Sequence, residues 1–85
     1  MKNERSTVSQ ESRFIGAAVR ALRGKREQRD LAAAMGVKPA YLCKLELGRI
    51  EWSYPLTVSA ARALGVPVRT LHMAIEGEPP ELTAA

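Results

Sequence analysis

Scarcity marks this chain first. Cys43 is the only cysteine among 85 residues, so no internal disulfide can form and a reducing compartment is expected. His72 is the only histidine, which leaves no His-based metal cluster and no His-dependent triad. Paired carboxylates, a phosphate loop and Cys/His metal spacing are missing too, so neither an enzyme nor a cofactor is expected. Aromatic residues make up 5% of the chain, and much of its 46% hydrophobic fraction is alanine. Such a composition suits a single bundle of short helices that approach one another closely through Ala. No apolar run is long enough for a membrane span, and MKNERSTVSQES has no signal-peptide core. A cytoplasmic protein is the expectation.

What is present is positive charge, unevenly placed. The net charge is +4, yet residues 13–49 alone carry +6 while residues 50–85 carry −2. A basic half of this kind fits a polyanionic partner.

The stretch Gln28 to Leu45, QRDLAAAMGVKPAYLCKL, organises the rest. Leu31, Ala32 and Met35 recur at helical spacing, Gly36 interrupts, and Val37, Tyr41, Leu42 and Leu45 resume the apolar pattern. Gly36 stands where a helix ends in a left-handed residue, and Pro39 suits the first turn of the next helix. Two helices joined by about three residues cross steeply, which is a helix-turn-helix. Around it, residues 1–12 read as a loose arm, with Thr7, Ser9 and Ser12 all possible caps for the first helix. That helix turns Ile15, Ala18, Val19 and Leu22 to one side. Helices are predicted over 28–35 and 39–47. A fourth opens at Pro55 with Leu56, Ala60, Ala61 and Leu64 inward, and a fifth covers 68–76. Trp52 reads as a core or staple residue in the loop before the fourth helix. Residues 13–76 thus form one all-α domain of five helices, and 77–85 a disordered tail.

Ala32, Gly36, Leu42 and Leu45 follow Gln28 by four, eight, fourteen and seventeen residues. With IGAAVRALR, AYLCKLELGR and ARALGV, this resembles the DNA-binding helix-turn-helix of the lambda-repressor-like (XRE, Cro/cI-type) family from about Ile15 to Leu71. The connection Gly24–Glu27 is about two residues shorter than the family's and lacks its Gly-Leu-Ser. The resemblance implies that the helix at 39–47 enters the major groove, with Lys38, Pro39, Ala40, Cys43 and Lys44 at or beside the bases. Lys44 can donate to guanine, whereas Pro39 and Ala40 offer apolar contact, most naturally to thymine methyls. Gln28 matches the glutamine that bonds a phosphate and braces the recognition helix. Arg26, Arg29, Arg49 and the Tyr41 hydroxyl are further phosphate candidates, with Lys38 also placed to lean on one. Arg23 and Glu46 resemble the family's ion pair between the first helix and the end of the third.

The function expected is a sequence-specific transcriptional regulator, and more specifically a repressor, that binds a palindromic operator as a homodimer. Small phage or plasmid repressors and restriction–modification controllers share this format. The fifth helix appeals as the dimer surface, through Val66, Val68, Leu71, Met73 and Ile75. The competing reading is an antitoxin or similar interaction module, whose last helix and GEPPELTAA tail bind a toxin while the motif autoregulates.

Overall fold

Ser9 sets the start of the first helix. A computed structural model describes residues 8–75, and in it α1 covers Gln10–Arg23 with the Ser9 side chain accepting the Ser12 N–H at 3.1 Å. Of the three candidate caps, Ser9 is therefore the one used, and Gln10, Glu11 and Ser12 belong to the helix and not to an arm. The remainder of the arm with Thr7, the Ile75 side chain, Glu76 and the GEPPELTAA tail lie outside the described residues. Four further helices follow: α2 (Gln28–Met35), α3 (Pro39–Glu46), α4 (Tyr54–Leu64) and α5 (Val68–Ile75). The described residues contain no strand.

The turn between α2 and α3 has the expected chemistry. Gly36 takes φ 78°, a conformation that costs an L side chain but not glycine, and the Val37 N–H closes back on the Ala32 carbonyl at 3.0 Å. Pro39 stands in the first turn of α3, as expected, while Lys38 occupies its cap with no side-chain bond. Ser53 caps α4 by accepting from the Leu56 N–H, so that helix begins one residue before Pro55.

Burial follows the predicted faces with informative exceptions. Ile15, Ala18 and Val19 of α1, Leu31, Ala32 and Met35 of α2, and Leu42 and Leu45 of α3 form the centre of the core. Trp52 joins them, as expected, and donates its indole N–H to the Leu45 carbonyl at 3.2 Å. In α4, Ala60 and Ala61 are buried, but Leu56 and Leu64 are only partly so. Thr57 takes the buried place in their stead, its hydroxyl satisfied by the Ser53 carbonyl at 2.8 Å. A β-branched hydroxyl can be buried there because the preceding turn supplies its acceptor. Among the described residues, no buried side-chain nitrogen or oxygen lacks a partner.

α1 is the central element, packing against α3, α4 and α5, while α2 packs on α3 and α4. The approach of α1 to α3 depends on Gly16. A Cβ on Gly16 would collide with the Leu45 carbonyl oxygen and lie 3.1 Å from that of Glu46. These are backbone atoms at the end of a helix and cannot swing aside. Gly16→Ala is therefore expected to force α1 and α3 apart and to lower stability by about 1–3 kcal/mol. Urea unfolding checks this, and an unchanged midpoint would show that the contact yields freely.

Candidate nucleic-acid interface

The two sides of α3 differ completely. Leu42 and Leu45 point into the core, and Glu46 is buried with them at 5% exposure. Pro39, Ala40 and Lys44 face solvent, Cys43 is half-buried, and Tyr41 and Leu47 are exposed hydrophobics at 39% and 50%. Lys38 at the head of the helix and Arg49 beyond its end are exposed as well. The outer side of α3 thus brings Lys38, Pro39, Ala40, Tyr41 and Lys44 together, with Cys43 set deeper.

A buried carboxylate holds this helix in place. Glu46 receives the Arg23 Nε at 2.8 Å, the Arg23 Nη2 at 3.0 Å and the Gln28 Nε2 at 2.9 Å. The two side chains of the ion pair are 16% and 2% exposed, so both ends are largely dry. Hydrogen bonding to Glu46 raises the Arg23 pKa above its ordinary value, against a smaller opposing effect of desolvation. Arg23 also donates Nη1 to the Arg26 carbonyl at 2.8 Å. The short Gly24–Glu27 connection is therefore folded around the same guanidinium that braces α3. In this arrangement Gln28 is a brace: its amide N–H is committed to Glu46, at the start of α2.

The other phosphate candidates divide. Arg29 is exposed in the first turn of α2 and makes a loose 3.4 Å contact with exposed Glu27, worth little in water. Arg26 donates Nη1 to the Ala63 carbonyl at 2.9 Å, tying the connection after α1 to the C-terminal end of α4. A cation suits the negative end of that helix dipole. A shallow recess of about 130 Å³ lies between α1, α2 and α3, lined by Arg20, Arg23, Gln28, Cys43, Glu46 and Leu47.

Two features escape a reading of the sequence. Gly16 is one. The other is a latch at the start of α1, where the Glu51 carboxylate accepts the Ser9 N–H at 2.6 Å and the hydroxyls of Ser9 and Ser12 at 2.9 and 2.7 Å. Ser12 in turn accepts the Trp52 N–H at 2.7 Å. The Ser-x-x-Ser spacing was a visible cap signal, but its partner lies about forty residues away and carries no local mark.

The candidate dimer residues also separate. Leu71 is wholly buried in its own domain, so it closes the core and cannot meet a partner. Val66 and Val68 are partly buried against the core, and Met73 is half-buried. Tyr54 is 66% exposed nearby on α4, its ring 6.5 Å from that of His72.

No family model and no curated protein matches the chain. Solved structures do. One crystal structure of the clp gene regulator ClgR from Corynebacterium glutamicum superposes with a TM-score of 0.75 at 37% identity, covering 81% of this chain and 92% of that one. A second ClgR structure gives 0.75 at 35% identity, covering 91% and 83%. The chain belongs to the family of helix-turn-helix regulators that contains ClgR. DNA-binding regulation in an XRE-like fold is the class this membership carries. It does not carry the narrower assignment to lambda-repressor relatives proper. Among the described residues, no helix is long and apolar enough to cross a membrane.

Two outcomes follow from the polar clusters. Removing one partner of a buried ion pair strands the other, so Arg23→Ala should cost about 3–5 kcal/mol. Gln28→Ala, which leaves the pair intact, should cost about 1 kcal/mol. Equal losses in urea unfolding would contradict the ranking. The Glu51 carboxyl is held below the ordinary carboxylate value, first by the Ser12 hydroxyl and then by the Ser9 N–H and hydroxyl. Its contribution is therefore complete above the unfolded carboxylate pKa and disappears as pH falls through the lower folded value. Glu51→Gln should melt lower at neutral pH and lose part of the acid-side decline, as read by melting temperature across pH. Parallel curves for the two proteins would show that the latch adds nothing.

Proposed function

We propose that the protein is a homodimeric, sequence-specific repressor that reads a two-fold operator with α3. The observation that supports this best is the outer side of α3, exposed and fringed with cations while its inner side is fixed by Glu46. A reader must present the same side chains on every encounter, and a braced helix does so. Lys44, with Lys38, Pro39, Ala40 and Cys43 around it, is the base-reading group. Arg29 and Arg49, the Tyr41 hydroxyl and, when released or shared, Gln28 and Arg26 hold phosphates. The ClgR name makes clp genes the first promoters to test for this chain.

One α3 covers only a few base pairs, too few to single out one site in a genome. A second copy on a two-fold axis supplies the rest, with half-sites roughly 34 Å apart. The proposed dimer surface is α5 with the start of α4, a choice supported by the packing of α5 on α1 and α4 and not on α2. Val66, Val68 and Met73 remain in that surface, Tyr54 joins it, and Leu71 drops out.

Binding to DNA selected from a random pool tests the reading. The logarithm of affinity should fall linearly with that of salt, by about 0.9 per phosphate contacted. Lys44→Ala should cost about 1–3 kcal/mol on the selected site and much less on unrelated DNA, while Arg49→Ala weakens both alike. Met73→Glu should sediment as a folded monomer and lose the operator. A flat salt response, or a wild type that stays monomeric on its site, would sink the proposal.

A further inference from the structure

The exposed side of α3 is apolar where a polyanion reader has most to gain from charge. At 3.6 residues per turn, Ala40, Cys43, Lys44 and Leu47 share one side of the helix. Lys44 is the one cation that α3 itself puts on this side, Glu46 being turned inward to Arg23 and Gln28, and Cys43 and Leu47 border the recess that Arg20 and Arg23 also line. Leu47 is half exposed. Lys38 before the strip and Arg49 after it are exposed cations. Positive ends select a polyanionic occupant, and an apolar middle selects what that occupant offers there.

Duplex DNA offers one apolar group in its major groove, the C5-methyl of thymine. The strip has the length to use it. From Ala40 to Leu47 the helix rises roughly 10.5 Å, about three base-pair steps, in a groove about 12 Å wide. We infer that the Ala40–Cys43–Leu47 strip reads thymine methyl groups, Lys44 adding a guanine contact between them. Operators of this protein then carry thymines at two or three fixed steps of each half-site. A helix lacking Asn, Gln and Arg on its outer side discriminates through methyl packing, and an adenine is recognised through the thymine opposite it. This rests on the DNA-reading function proposed above.

Uracil lacks only that methyl and keeps every base-pairing and groove hydrogen bond. In the selected site, each thymine is replaced by uracil in turn, and affinity is measured for the wild-type dimer, Ala40→Ser and Leu47→Ala. Wild type should lose about four-fold at each step under the strip, the value of one buried methyl, and nothing elsewhere. Ala40→Ser and Leu47→Ala change exposed residues, so both should fold. Each should abolish the uracil effect at its own step and leave the other step unchanged. Salt-dependent, site-specific binding with no loss at any uracil overturns methyl reading and leaves DNA reading standing. Uracil losses that neither variant alters place the methyls against other residues and overturn the strip. Failure to select any sequence removes the DNA reading itself, and this inference with it.

Discussion

A carboxylate buried in the last turn of α3 sets the geometry of the whole molecule. Burying Glu46 is costly unless every lone pair that loses water finds a donor, and three donors from two other helices meet it. Arg23 supplies two of them in a fork that lysine cannot offer. One acidic side chain therefore states where α1, α2 and α3 lie relative to one another. The apolar contacts of Leu42 and Leu45 fix the depth of α3 but would tolerate rotation about its axis. Directional bonds at Glu46, with the Trp52 bond to the Leu45 carbonyl, remove that freedom.

The helices were legible because their ends are written locally. Gly36 at the turn, Pro39 in the first turn of α3 and the apolar spacing of α1 act over a few residues, and the fold obeys them. Arg23 and Glu46 could be paired only through a family resemblance, since nothing within 23 residues of sequence joins them. Gly16 and Glu51 were illegible for the same reason: one answers a carbonyl on another helix, the other a hydroxyl pair at the far end of the domain. Leu71 illustrates a different limit. It lies on an apolar stripe of α5, but a stripe does not say whether its own domain or a partner covers it, and at Leu71 the domain does.

Packing in the molecule is organised around α1. α3 packs on it with α2 behind, and α5 packs on it with α4, where Val66 and Val68 are partly buried and the Tyr54 ring is exposed. The Glu51 carboxylate meets the positive end of α1 through Ser9 and Ser12.

Trp52 is the only tryptophan in the chain, and its indole nitrogen is bonded to the carbonyl of Leu45. The emission of this protein at tryptophan wavelengths therefore comes from a single fluorophore seated at the base of α3. A shift of α3 toward or away from α1 changes the polarity and the hydrogen bond that this one ring experiences. The chain carries its own optical gauge of how firmly α3 is seated, with no label to be added.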